Sequence, residues 1–111
     1  MEKNTRLFSV STGRVTPFLK RSKKAAEYIT TLNGYVGAHP TLDGDYMLWL
    51  FETAEQALEA RKLMSKKGIE CGNNICEFEW LDDDVIQFVG VAEGKDKGKG
   101  YVVGDESVKS N

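Results

Sequence analysis

Few residues in this chain have the chemistry to react or to bind a metal. Cys71 and Cys76 are the only cysteines and His39 is the only histidine. The four-residue gap in CGNNIC is wrong for C-x-x-C redox chemistry, and two thiols with one distant imidazole do not complete a zinc site without borrowed carboxylates. The N-terminal stretch MEKNTRLFSVSTGR lacks the apolar core of a secretion signal, so the expected state is two reduced, partly buried strand cysteines in a cytoplasmic protein. Gly94-Lys-Asp-Lys-Gly98-Lys99-Gly100 is one residue short of a phosphate loop. Gly100 also stands where a magnesium-binding hydroxyl belongs, and YVV follows where a helix is required. Asp82-Asp83-Asp84 lacks the twelve-residue loop of a calcium site. A Ser-His-Asp arrangement would rest on His39 alone, next to Pro40 at a strand end. No G-x-G-x-x-G, nucleophile elbow or H-E-x-x-H is present. A non-enzymatic protein with no cofactor and no metal is therefore expected.

What remains is charge. The 111 residues carry 15 Lys/Arg against 17 Asp/Glu, a formal net charge of -2. That balance argues against a generally basic nucleic-acid coat. The distribution is uneven: residues 1 to 40 hold seven cations and two glutamates, and residues 41 to 111 hold eight cations and fifteen acids. Lys20, Arg21, Lys23 and Lys24 crowd the first turns of a helix, where the macrodipole favours negative charge, and so mark a candidate anion-binding face. Glu77, Glu79, Asp82, Asp83 and Asp84 form the acidic counterpart. The alternative for both groups is an ordinary solvated face.

The elements that must position these residues follow from periodicity. Arg6 to Thr12 reads as a strand, with Phe8 and Val10 alternating with serines. Gly13 to Thr16 connects it to a helix that begins with Thr16 as N-cap and Pro17 in the first turn. Phe18, Ser22, Ala25, Ile29 and Leu32 make its apolar stripe, and Asn33-Gly34 stops it. Tyr35 to His39 is a strand, Pro40 to Asp45 a turn, and Tyr46 to Phe51 a central strand buried on at least one face. Its alternation places Met47, Trp49 and Phe51 on the helix-facing side, with Trp49 buried.

Thr53 and Gln56 form a capping box for a second helix running to about Lys67, with Gly68 as its stop. Ile69 to Leu81 reads as a short hairpin folded at Gly72-Asn73-Asn74 and leading into ICEFEWL. Val85 to Ala92 is an extra strand. Residues 1–92 are thus expected as one α+β domain, and 93–111 as a flexible Gly/Lys-rich tail, with Tyr101-Val102-Val103 as an optional edge strand.

The order β-α-β-β-α-β predicts a ferredoxin-like fold: an antiparallel sheet with both helices on one face, plus an extra C-terminal strand or hairpin. From Leu7 to Leu81 the chain resembles an RNA-recognition motif. GDYMLWLFETAEQALEARKLM is similar to that family's third strand and second helix, and KKGIECGNNICEFEW to the hairpin leading to its last strand. With Phe51 registered on the final aromatic of the third-strand motif, the resemblance puts Tyr46 and Leu48 at base-stacking positions and Phe8 at the stacking position of the first strand.

Three functions follow. The first is a small binding or regulatory protein acting through a charged surface on a protein partner, one variant being an inhibitor whose acidic edge, Glu77 to Asp84, fills a partner's nucleic-acid groove. The second, implied by the resemblance, is single-stranded RNA binding through Phe8, Tyr46 and the basic helix. The third is a small-molecule sensor or enzyme with a pocket lined by Trp49, Trp80 and tyrosines. No membrane span is expected, and a homodimer through a sheet edge is compatible with the strand pattern.

Overall fold

In the computed structural model, residues 1–13, 19–82 and 85–98 are described, with only the backbone considered for 19–22. Among the described residues, five strands and two helices follow in the order β1 (Arg6–Gly13), α1 (Leu19–Thr30), β2 (Tyr35–Pro40), β3 (Tyr46–Phe51), α2 (Ala54–Lys66), β4 (Ile75–Asp82) and β5 (Val85–Glu93). The strands form one sheet in the order β2-β3-β1-β4-β5. Every neighbouring pair is antiparallel. The α1 connection therefore joins strands separated by β3, and the α2 connection joins strands separated by β1.

Strand period decides which residues meet the helices. Val10, Phe51 and Ile75 pack in one cluster with Ile29 of α1 and Ala57, Ala60 and Met64 of α2, and Phe8 and Trp49 lie at its margin. This is the helix side of the sheet. The other side is also packed: Leu7, Leu48, Leu50, Cys76, Phe78, Ile86 and Val91 form a second buried cluster, joined by Trp80 and Phe88. Ser9 is buried at the position between Leu7 and Ser11 on the same side. The apolar run YMLWLF is thus explained by burial on both faces. Pairing shifts place Val89 and Ala92 as extra residues in β5, and such bulges bend and twist a strand.

The helix ends follow their sequence signals. The Thr53 side chain accepts from Gln56 N–H at 3.1 Å, and the Gln56 side chain accepts from Thr53 N–H at 3.2 Å. Gly34 adopts φ +85°, and a Cβ there would strike the Gln56 amide. The end of α1 is therefore packed against the cap of α2, and glycine is required for the close approach as well as for the backbone. In the β2–β3 turn, Thr41 is buried, its Oγ1 accepts from Tyr46 N–H at 3.2 Å, and Asp43 Oδ1 accepts from Asp45 N–H at 2.9 Å.

Three expectations change. Trp49 faces the helices as expected but is half-buried, its indole N–H donating to Thr12 Oγ1 at 2.8 Å. Residues 69–74 form no strand, so the expected hairpin reduces to β4 alone. Gly72 N–H bonds to the Ser11 carbonyl at 2.9 Å and Arg61 Nε–H to the Gly72 carbonyl at 2.7 Å, so backbone groups that a second arm would have used are taken by β1 and α2. Finally, the segment after β5 closes into a turn rather than running on as open chain. Asn74 Nδ2 donates to Asp96 Oδ2 at 3.0 Å, Asp96 N–H returns to Asn74 Oδ1 at 3.2 Å, and Gly98 N–H reaches the Val91 carbonyl at 2.8 Å. Thr16, Pro17 and Phe18 at the expected start of α1, Asp83, Asp84 and the tail from residue 99 lie outside the described residues.

Candidate functional site: the basic helix face

Helix α1 carries Lys20, Arg21, Lys23 and Lys24, with Glu27 as its only acid, and no acidic residue in its first turn. Lys23 and Lys24 are exposed, and the side chains of Lys20 and Arg21 are not described. Lys24 precedes Tyr28 by four positions, which places both on one strip of the helix. The Lys67 ammonium sits 5.1 Å from the centroid of the Tyr28 ring, within cation–π range. Lys67 is the C-cap of α2, and the exposed Lys66 precedes it in the last turn, where cations offset the negative end of the helix dipole. The Tyr28 ring therefore links the strip of α1 that carries Lys24 to Lys67 at the end of α2. The sequence reading missed Tyr28, Lys66 and Lys67. The Lys66-Lys67 pair was visible but served only to mark a helix end.

The acidic group has a different character. Phe8 pairs with Glu77 and Arg6 with Glu79 across β1 and β4. Arg6 reaches both carboxylates, with Nη1 3.0 Å from Glu77 Oε2 and Nη2 3.4 Å from Glu79 Oε2. The strand pairing thus supplies this acidic edge with a cation of its own. Asp82 is exposed at the end of β4.

The two aromatics expected on a base-stacking platform are not brought together. Phe8 pairs with Phe51 and packs at the margin of the helix-side cluster. Tyr46 pairs with Gly13, five positions further along β1, and is 45% exposed. An odd separation along an unbulged ladder puts them on opposite faces. Leu48, the other position implied by the resemblance, is buried in the second cluster.

The thiols are separate as well. Cys71 and Cys76 form no disulfide, and burial pushes the Cys71 thiol up, with the Arg61 charge and a Ser65 hydrogen bond opposing the shift. Among the described residues, no group of three or more His, Cys, Asp or Glu is placed to hold a metal ion, and no helix is long and apolar enough to cross a membrane.

Compared with known proteins, the chain matches no family model, no curated protein and no solved structure.

Proposed function

We propose that this protein is a non-enzymatic binding module that docks an acidic surface of a partner protein on the basic face of α1 and the end of α2. The observation that carries this reading is the Tyr28–Lys67 contact, which sets Lys67 of α2 beside the strip of α1 that carries Lys24. Lys20, Arg21, Lys23 and Lys24 supply charge from α1, and Lys66 and Lys67 add to it from α2. Clustered cations raise the on-rate for an anionic partner and exclude cationic ones. The acidic edge is the weaker candidate, because Arg6 already engages Glu77 and Glu79. A protein partner is favoured over nucleic acid because the sheet does not pair the two expected base-stacking aromatics, Phe8 and Tyr46 lying on opposite faces.

The scaffold is read as a ferredoxin-like sheet with a fifth strand added beside β4. The split crossovers and the order β2-β3-β1-β4 support that reading. RNA binding on the sheet loses its platform, since Phe8 and Tyr46 lie on opposite faces and Leu48 is buried in the second cluster.

The test uses polyglutamate as an acidic-polypeptide probe and polyuridylate as a single-stranded RNA probe. At low salt the full chain should bind polyglutamate, with affinity falling steeply as salt rises. No binding of polyglutamate by the folded protein overturns the reading, and binding of polyuridylate alone replaces it with the nucleic-acid one.

A further inference from the structure

We infer that β5 is a self-association edge, along which two copies of the chain pair antiparallel about a two-fold axis through Gln87. β5 ends the sheet order, so among the described residues only β4 pairs with it. A strand edge normally carries protection against pairing, such as a lysine, a proline or short length. β2, at the opposite edge, has this: it is six residues long and ends in Pro40. β5 is nine residues long and is bulged at Val89 and Ala92, but VIQFVGVA, from Val85 to Ala92, contains neither a charge nor a proline.

The exposed side chains of β5 fit a two-fold arrangement. Val85 and Val89 are 38% and 39% exposed, and Gln87 between them is exposed too. The register shifts on either side leave Ile86–Phe88 as the regular stretch, whose middle residue is Gln87. Pairing about Gln87 sets Gln87 against its own copy, and Val85 against Val89 of the second copy twice over. The position sums are even, so paired residues fall on the same face of the joined sheet.

Sedimentation equilibrium of the full chain across a concentration series, with amide hydrogen exchange at its two extremes, tests this. The expected result is a mass rising from one chain to two, with added protection of β5 amides at high concentration. Val85→Lys/Val89→Lys, at exposed positions, should stay folded and weaken the dimer by roughly tenfold or more, since it sets like charges opposite each other. Ala38→Lys on β2 should leave it unchanged. A single-chain mass at every concentration up to about 1 mM, a weak limit for specific association, overturns the proposal. So does a dimer indifferent to the double lysine variant. Concentration-independent protection of β5 would assign its edge to the chain's own residues and equally overturn it.

Discussion

Phe8 and Tyr46 stand on opposite faces of one sheet, because their partners on the β1–β3 ladder are Phe51 and Gly13. That one relationship separates a base-stacking surface from a scaffold with a packed core on each side. With Leu7, Leu48, Leu50 and Phe78 all buried, the side away from the helices contributes stability rather than a flat platform. Leu50→Ala should therefore cost roughly 2–5 kcal/mol, the range for a buried leucine. Trp49→Phe, which removes the bond to Thr12 at a half-buried site, should cost only about 1 kcal/mol. Urea unfolding of both variants checks the order, and the reverse order would place the deeper core on the helix side.

Gly34→Ala should destabilise by more than about 1 kcal/mol, the usual cost of placing a side chain in left-handed backbone. The added methyl also displaces the Gln56 amide that caps Thr53. Thr53→Ala removes the other half of the box and should cost about 1 kcal/mol. Because both act on one cap, the double variant should cost less than the sum of the two, as thermal unfolding of all three would show.

These caps show how much of the fold was legible. Thr53 with Gln56, Asn33-Gly34 and the period-2 alternation of ICEFEWL are local signals, each set by a few neighbouring residues, and they located α2, the end of α1 and β4. That Gly34 and Gln56 touch depends on how two helices cross, which no local pattern encodes. The same holds for Asn74 and Asp96, 22 positions apart and joined by two hydrogen bonds. At the candidate site, the charge crowding on α1 was readable from spacing alone. Its extension through Tyr28 to Lys67 was not, because a cation–π contact between helices is a tertiary event.

Cys71 should alkylate slowly in the folded protein. Burial raises its pKa, so at a given pH less of it is thiolate than in the unfolded chain. As pH rises through the ordinary thiol range, the unfolded chain loses this proton before the folded one does, so this group's contribution to stability declines. Iodoacetamide labelling followed by mass spectrometry, with and without denaturant, should show Cys71 modified faster when unfolded. Equal rates would mean that the site around Arg61 and Ser65 is open.

Arg6→Ala should have a small effect on stability, at most about 1 kcal/mol, because the pairs with Glu77 and Glu79 are partly exposed. Its effect on charge is larger, since it uncovers two carboxylates on β4. If the acidic edge were the docking surface, Arg6→Ala would strengthen binding to polylysine and leave polyglutamate binding alone. With the helix face as the docking surface, the added negative field should weaken polyglutamate binding slightly.

The most direct measurement compares polyglutamate binding by the parent chain and by Lys20→Gln/Arg21→Gln/Lys23→Gln/Lys24→Gln over a salt series, with unfolding curves recorded alongside. Glutamine is a comparable helix former, and the change removes cations from the positive end of α1, so stability should hold or rise slightly. Binding should be abolished, or reduced to a weak remnant with little salt dependence, and Lys66→Gln/Lys67→Gln should weaken it in the same direction. A well-folded quadruple variant that binds polyglutamate as tightly as the parent, with the same salt dependence, would contradict the assignment of this helix face.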